Sequence, residues 1–353
     1  MSKFWNDKVK EIEPYVPGEQ PKDKKYIKLN TNENPYPPSK KVIEAMKSAV
    51  NDDLKLYPDP TCSDLIGEIA KYYNLNEDEV FIGNGSDEIL AFSFMAFFSP
   101  HKKILFTDIS YTFYKVYAEL FDLNYELVKL DDDFNIPLAE LKKENGGVIV
   151  PNPNAPTGKY VDIEELRKLV EANKDSVVII DEAYIDFGGE SMVKFVTDYD
   201  NLLVIQTLSK SRSLAGLRAG FALGHKDLIE GLNRIKNSIN SYTIDRVAIA
   251  GAKEAIKDDD YFKEITKKII HTREKVSKDL ERLDFRVLES KSNFVFVSHN
   301  KISGKLLYEK LKDNGVLVRY FNKDRIDNFL RITIGTDEEM GILIEKLELI
   351  LSK

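Results

Sequence analysis

Short apolar runs alternate with helical stretches between residues 63 and 223, and this alternation most limits the possible folds. Runs rich in Val and Ile, such as Val148–Val150 and Leu202–Ile205, are typical of strands buried on both faces. Stretches such as Ser63–Tyr73 and Ile163–Ala172 carry apolar residues at the spacing of amphipathic helices. We therefore predict an α/β fold whose large domain has a mostly parallel central sheet flanked by helices. The predicted strands of this sheet are Val80–Ile82, Lys103–Phe106, Tyr125–Leu130, Val148–Val150, Val177–Ile180, Leu202–Ile205 and Gly220–Leu223.

The two ends of the chain differ from this middle part. Eight of the 13 prolines fall in the first sixty residues, and proline cannot continue a helix, so residues 1–38 are predicted to form an extended arm. Residues 39–255 would form the large domain. A long charged helix, Tyr261–Leu283, is followed by short strands, which predicts a smaller α+β domain over 256–353.

Composition and charge exclude several classes of protein. With 51 basic and 59 acidic residues the chain has a net charge of −8, which does not favour a nucleic-acid-binding surface. One cysteine, Cys62, excludes an intramolecular disulfide and suits a reducing compartment. The longest apolar stretch, Ile89–Phe98, is too short to span a membrane, and no apolar signal segment stands at the N-terminus. The histidines lack metal-site spacing. We predict a soluble, cytoplasmic protein without metal, nucleic-acid or membrane partners.

Polar residues follow four of the predicted strands. The segments are Gly83–Glu88, Pro151–Gly158, Asp181–Tyr184 and Gln206–Arg218. In an open parallel sheet, ligands bind outside the carboxyl ends of the strands, so these segments are expected to share one polar ligand.

The glycine-containing segment after the first strand leads directly into a helix. Backbone N–H groups at a helix start favour an anion, but Ser86 is equally explained as an ordinary N-cap. A dinucleotide site is a further alternative, since Asp108 lies 23 residues beyond Gly85. Glu88 stands where that motif has its third glycine, which counts against it.

Lys210 follows a buried strand and a polar turn, where an ammonium group without a partner is costly. Such a lysine is either a surface residue of a loop or an amine nucleophile that forms a Schiff base. Asp181 alone is equally explained as a cap or an ion-pair partner. Together with the glycine segment and the aromatic Tyr111, however, they match what pyridoxal phosphate requires: an amine, a carboxylate for its ring nitrogen, a phosphate cradle and an aromatic face.

Seven motifs occur in the order seen in fold-type-I, pyridoxal-phosphate-dependent aminotransferases, and the chain resembles the histidinol-phosphate branch of that family most closely. The resemblance covers nearly the whole chain. The motifs are LNTNENPYPPS (29–39), YPDP (57–60), GNGSDE (83–88), NPNAPTG (152–158), DEAYIDF (181–187), TLSK with LAGLRAGF (207–221) and RITIG (331–335).

The resemblance implies a role for each matching residue. Lys210 would carry pyridoxal 5′-phosphate and act as the general base, Asp181 would pair with the ring nitrogen, and Tyr184 would bind the ring's phenolic oxygen. Other implied cofactor contacts are Gly85, Ser86, Asp87, Tyr111, Asn154, Ser209 and Arg218. Tyr57 would reach the cofactor of a neighbouring subunit, which implies a homodimer with shared active sites. The implied substrate-binding residues are Tyr15, Asn32, Arg319 and Arg331.

The sequence departs from the family pattern at two places. Relatives commonly have an asparagine where this chain has Ala155, and Asn154 is the nearest amide that could replace it. After Lys210 the chain reads Ser211, Arg212 and Ser213 where many relatives have a small residue, Phe and Gly. We interpret Arg212 as a solvated charge.

The expected reaction transfers an amino group between histidinol phosphate and 2-oxoglutarate, giving imidazole-acetol phosphate and glutamate, in histidine biosynthesis. An aromatic-amino-acid aminotransferase and a threonine-phosphate decarboxylase are alternatives on the same scaffold. Decarboxylase relatives usually open with His-Gly-Gly, whereas residues 29–35 read LNTNENP. A nicotinamide oxidoreductase would need the fingerprint that Glu88 interrupts, and a non-catalytic module would be expected to lack Lys210 or Asp181.

Overall fold

Two β-sheets organise the chain in the computed structural model, which describes residues 2–352. The strands are β1 (Ile27–Leu29), β2 (Val80–Asn84), β3 (Ile104–Thr107), β4 (Tyr125–Val128), β5 (Gly147–Pro151), β6 (Val178–Asp181), β7 (Leu202–Thr207), β8 (Ala219–Gly224), β9 (Phe285–Val287), β10 (Phe294–His299), β11 (Val316–Tyr320) and β12 (Phe329–Thr333). The α-helices are α1 (Asp7–Glu11), α2 (Lys40–Ala49), α3 (Ser63–Tyr73), α4 (Gly85–Phe97), α5 (Phe113–Leu120), α6 (Ile163–Ala172), α7 (Lys226–Ile239), α8 (Arg246–Lys257), α9 (Asp259–Arg282), α10 (Gly304–Asp313) and α11 (Asp337–Leu351).

The large sheet has seven strands in the order β2-β8-β7-β6-β5-β3-β4. Six of them point the same way, and only β8 is antiparallel to its two neighbours within this sheet. Its central strands are apolar and buried on both faces, because helices cover both sides. The predicted α/β fold with a mostly parallel central sheet is confirmed.

The orientation of β8 has a direct consequence for the functional residues. In an antiparallel neighbour of β7, the amino end of β8 lies at the edge where the parallel strands have their carboxyl ends. Arg218, the residue before β8, is therefore placed at that edge. The sequence placed Gly220–Leu223 among the strands of this sheet but did not distinguish its direction.

The small sheet has five strands in the order β1-β11-β12-β10-β9. Its first strand comes from the N-terminal part of the chain: Ile27 pairs with Val316 and Leu29 with Val318, in parallel. The buried Leu29 packs in one apolar cluster with residues of the C-terminal part. The predicted arm, residues 1–38, thus contains both α1 and β1. The division into an arm, a large domain (39–255) and a small domain (256–353) stays a prediction.

The helices lie where the apolar spacing indicates. Helices α3 and α6 have the predicted bounds, and α9 starts two residues before and ends one residue before the predicted Tyr261–Leu283. Within residues 2–352, no helix combines the length and the apolar character needed to cross a membrane.

Arg212 connects the loop after β7 to helices α8 and α9. Its side chain is buried at 7% exposure and donates a hydrogen bond to the backbone oxygen of Ala255. The guanidinium carbon lies 3.9 Å from the centre of the Phe262 ring and 5.2 Å from that of Tyr72. Interpreting Arg212 as a solvated charge is therefore wrong, because the side chain is buried against these two rings. Both rings come from distant parts of the sequence.

Replacing Arg212 with Ala is expected to lower the free energy of unfolding by about 3 kcal/mol. The substitution removes a cation that contacts two aromatic rings. It also removes a charge that lowers the pKa of the half-buried Asp186, although desolvation, the larger effect, raises that pKa. Urea unfolding of the variant measures the loss. Arg234→Ala is the control, since that side chain is 79% exposed. Equal stabilities of the two variants would contradict the prediction.

Candidate active site

A cavity of about 540 Å³ lies where the large sheet, the small sheet and the N-terminal segment meet. It contains most of the residues to which the sequence assigns a role, from both sheets and from the segment before β1. Those lining it are Tyr15, Asn32, Ser86, Asp87, Tyr111, Asp181, Tyr184, Ser209, Lys210, Arg218, Arg319 and Arg331. The expectation that the strand-end segments share one site agrees with this arrangement.

Lys210 stands three residues beyond the end of β7 and directs its amine into the cavity. Its Nζ is 3.5 Å from the backbone oxygen of Thr31 and 5.8 Å from the centre of the Tyr184 ring. The backbone of Lys210 is held by Asn34, whose Nδ2 donates to its carbonyl oxygen at 2.9 Å. Within residues 2–352 no carboxylate forms an ion pair with this amine, so a carbonyl compound in the cavity meets an amine without a competing salt bridge.

Asp181 is the last residue of β6 and is only 5% exposed. The Tyr114 hydroxyl donates to its Oδ2 at 2.6 Å, and the backbone N–H of Ala183 donates to Oδ1 at 3.2 Å. Burial raises the pKa of Asp181 to about 6, despite these hydrogen bonds and the charge of Lys210. A buried carboxylate without a basic ion-pair partner among the described residues suits a cationic N–H from a ligand.

The start of α4 forms an anion cradle with Arg218. Gly85 has φ = +75°, which favours glycine, and a Cβ there would lie 2.6 Å from Nη2 of Arg218, so a side chain would displace the guanidinium. Nη2 donates to Oδ2 of Asp87 at 3.0 Å, and Nη1 lies 3.5 Å from the hydroxyl oxygen of Ser209. Free N–H groups at a helix start beside a guanidinium match the requirements of a phosphate.

Tyr111 supplies an aromatic wall next to this cradle. Its hydroxyl donates to Oδ1 of Asp87 at 2.7 Å, and its ring centre lies 6.4 Å from that of Tyr15. The Tyr15 ring stacks on Phe113 with centres 4.5 Å apart. Burial raises the pKa of Tyr111 well above its ordinary value, so the phenol remains a hydrogen-bond donor.

Two arginines form the opposite, cationic wall. Arg319 in β11 and Arg331 in β12 are direct cross-strand partners, so their side chains share one face of the small sheet. Burial and the charge of Arg319 lower the pKa of Arg331, whose buried Nε has no hydrogen-bond partner among the described residues. Like charges opposite each other are unfavourable, and an anionic ligand between them would remove that cost.

Three of the assigned residues do not line the cavity, namely Gly85, Asn154 and Tyr57. Asn154 is fully buried, and its Nδ2 donates to the backbone oxygen of Ile109 and to the Thr157 hydroxyl, while Ala155 lines the cavity in front of it. Its Oδ1 has no partner among the described residues. Tyr57 lies on the surface at 77% exposure. Their cofactor contacts stay predictions.

Sequence reasoning missed Tyr114 and Asn34, which hold Asp181 and the backbone of Lys210. Tyr114 lies in α5, whereas Tyr111 precedes that helix, and their hydroxyls donate to different carboxylates, those of Asp181 and Asp87. Asp108, considered for a dinucleotide, instead accepts a hydrogen bond from Arg325 at 3.0 Å.

Arg218→Ala is expected to raise the dissociation constant of pyridoxal phosphate about 10- to 100-fold, the effect of losing a charge-assisted hydrogen bond. The loss leaves Asp87 without its cationic partner beside the bound anion. Dialysis followed by measurement of bound cofactor tests this, with Arg234→Ala as the control. Retention equal to that of the unmodified protein would contradict it.

Comparisons with known proteins agree with this geometry. Residues 24–347 match the family described as aminotransferase class I and II. A histidinol-phosphate aminotransferase of Clostridium beijerinckii is 81% identical over 352 residues, covering 100% of this chain and 98% of that protein. The solved histidinol-phosphate aminotransferase of Clostridium acetobutylicum is 26% identical with a TM-score of 0.85, covering 92% of this chain and 99% of that one.

A further solved structure has the same fold. It is the histidinol-phosphate aminotransferase of Sinorhizobium meliloti in complex with pyridoxal-5′-phosphate, with a TM-score of 0.90 at 23% identity, covering 100% of this chain and 98% of that one. The family match and the full-length identity to the C. beijerinckii protein confirm the resemblance found in the motifs. The chain therefore belongs to the aminotransferase class I and II family.

Proposed function

We propose that the protein is a histidinol-phosphate aminotransferase that uses pyridoxal 5′-phosphate and exchanges an amino group between histidinol phosphate and 2-oxoglutarate. The observation that carries the proposal is one cavity that joins an unpaired amine, a buried carboxylate and an anion cradle to a pair of arginines. The name of the 81% identical relative supports the choice of substrate.

The residues of the cavity fit this cofactor. Gly85 leaves room for Arg218 over the start of α4, where a phosphate group would bind. Asp181 would hold the protonated ring nitrogen, and Lys210 would supply the amine for the aldehyde. Bound pyridoxal phosphate supplies an aldehyde that condenses with amines and a ring that withdraws electrons from the substrate's Cα.

Three side chains of the protein would then act on the bound cofactor and substrate. Nζ of Lys210 would remove the proton from the carbon that carries the amino group and hold it, since no carboxylate of residues 2–352 is paired with that amine. The negative charge of Asp181, which accepts a hydrogen bond from Tyr114, would keep a proton on the cofactor's ring nitrogen. Tyr184 stands beside Lys210, where its phenol would be available to the ring's phenolic oxygen.

The paired arginines account for the use of two different substrates. Glutamate presents a carboxylate and histidinol phosphate presents a phosphate monoester, and a guanidinium binds either one through two N–H groups. Among the described residues, the hydrogen bonds of the Arg319 side chain are long ones, to the backbone oxygens of Val16 and Pro17 at 3.3 and 3.5 Å. These contacts are weak enough for an anion to replace them.

Steady-state assays of three amino compounds test the function. Transamination of histidinol phosphate with 2-oxoglutarate is expected to exceed that of phenylalanine, because only the former has a phosphate end for the two arginines. Decarboxylation of threonine phosphate is expected to be absent, because residues 29–35 read LNTNENP where decarboxylase relatives usually have His-Gly-Gly. A preference for phenylalanine or release of CO₂ would favour the corresponding alternative. Lys210→Ala is expected to abolish turnover and the visible absorption of bound cofactor, whereas Arg234→Ala retains both.

We further propose a homodimer with shared active sites. Apolar side chains are exposed around the end of α2 and the segment before α8, and Tyr57 stacks on Tyr242 with ring centres 4.6 Å apart. Arg246 donates to the backbone oxygen of Tyr57 at 2.6 Å and anchors the backbone at this residue. A fixed, exposed aromatic patch is typical of a surface that binds another subunit. Its exposed members are Val50, Leu54, Leu56, Tyr57, Ile239 and Tyr242.

Mixing two impaired variants tests whether each active site contains residues of both subunits. Lys210→Ala and Tyr57→Ala are each expected to be impaired, but a hybrid dimer has one site with both lesions and one intact site. Denaturing and refolding an equal mixture should restore about a quarter of the unmodified activity, because half of the dimers are hybrids. Activity that stays at the level of the two variants alone would show that Tyr57 acts within its own subunit or not at all.

A cytoplasmic location is part of the same proposal. It is supported by cysteine usage, since the chain has one cysteine and Cys62 is a buried free thiol.

A further inference from the structure

Both the backbone and the side-chain amide of Asn32 form hydrogen bonds with other protein groups. It is 1% exposed and has φ = +56°, a left-handed conformation that asparagine tolerates better than most residues. Its backbone N–H donates to the Thr333 hydroxyl oxygen at 3.0 Å, and its backbone oxygen accepts from Nδ2 of Asn293 at 3.0 Å. Its Nδ2 donates to the Tyr184 hydroxyl oxygen at 2.9 Å. The side chain is thus committed to protein partners, although the residue lines the cavity.

The orientation of the Asn32 amide follows from the proton of Thr333. The Thr333 hydroxyl is 3% exposed, and Oδ1 of Asn32, at 3.0 Å, is its acceptor among the described residues. Turning the amide around would place an NH₂ group against this hydroxyl and leave the Thr333 proton without an acceptor, which is costly in a buried site. Nδ2 must therefore face Tyr184.

An amide N–H that donates to a phenol oxygen determines where the phenol's own proton points. The Tyr184 oxygen accepts from Asn32, so its O–H proton is directed away from Asn32 and is free to be donated to another acceptor. Tyr184 lines the cavity beside Lys210, so the free proton is available to a bound ligand.

We propose that Asn32 is a positioning residue that makes Tyr184 a hydrogen-bond donor to the ring oxygen of the cofactor, and that Thr333 fixes Asn32 in this role. The inference rests on the proposed function. It also connects the two sheets, because Tyr184 follows β6 of the large sheet and Thr333 ends β12 of the small one. The sequence analysis assigns no role to Asn293 or to Thr333, although Thr333 lies within the RITIG motif.

The proposal has a spectroscopic consequence. A negatively charged ring oxygen stabilises a proton on the neighbouring nitrogen that joins the ring to Lys210, and a hydrogen bond from Tyr184 withdraws charge from that oxygen. Donation by Tyr184 therefore lowers the pH at which the visible band of the bound cofactor changes. Losing the orientation of Tyr184 should raise this midpoint.

The experiment is a pH titration of the visible band in the purified holoenzyme. Asn32→Gly removes the amide while keeping a residue that adopts positive φ, and the midpoint is expected to rise by about 0.5–1 pH units, the effect of one hydrogen bond. Tyr184→Phe should raise it at least as much. In the double variant the Asn32 substitution should add nothing, because its effect passes through the phenol.

Thr333 provides a second test that leaves Asn32 in place. Thr333→Val should raise the midpoint in the same direction, and Thr333→Ser, which keeps the hydroxyl, should restore it. An unchanged midpoint in folded Asn32→Gly, or an equal further shift in the Tyr184→Phe background, would overturn the inference. If Asn32→Gly does not fold, an unchanged midpoint in Thr333→Val would overturn the inference instead. Absence of any visible band in the unmodified protein with added cofactor would instead refute the proposed function.

Discussion

The carboxylate of Asp181 is the constraint on which the site depends. A group that is 5% exposed and has only neutral hydrogen-bond donors is costly to ionise, and burial shifts its pKa accordingly. The fold places it at the carboxyl end of a central strand, behind Tyr114 and within the same cavity as Lys210. A cation in front of the carboxylate would offset the cost of ionising it, and a protonated ring nitrogen is such a cation.

The two sheets contribute different chemistry to one space. The large sheet carries the groups that we propose hold the cofactor, because its parallel strands all end at one edge and the reversed β8 brings Arg218 to the same edge. The small sheet carries the paired Arg319 and Arg331, which we propose bind the anionic end of a substrate. Residues between the sheets, above all Asn32, connect the two sets through hydrogen bonds.

Much of this could be predicted from the sequence, because local patterns determine strands, helices and the order of motifs. The strand ends of β2, β6 and β7 place Gly85, Asp181 and Lys210 together by a general property of parallel sheets. Contacts between distant segments could not be predicted in this way. Arg212 lies between rings that are far from it in the chain, and the chain gives no local sign of that packing. Thr333 is equally inconspicuous as a strand residue, and its importance comes from meeting Asn32 across three hundred residues of sequence.

The pairing of β1 with β11 affects how the molecule can be made. An outer strand of the sheet nearest the C-terminus is supplied by residues 27–29, and its partner begins at Val316. A ribosome has therefore synthesised most of the chain before β1 can pair with β11. Until then the segment with Asn30, Thr31 and Asn32 has no neighbouring strand. Such long-range closure slows folding and leaves an open edge exposed to other chains. We therefore expect the catalytic pocket to be completed late in folding, because the residues that line it are synthesised both early and late in translation.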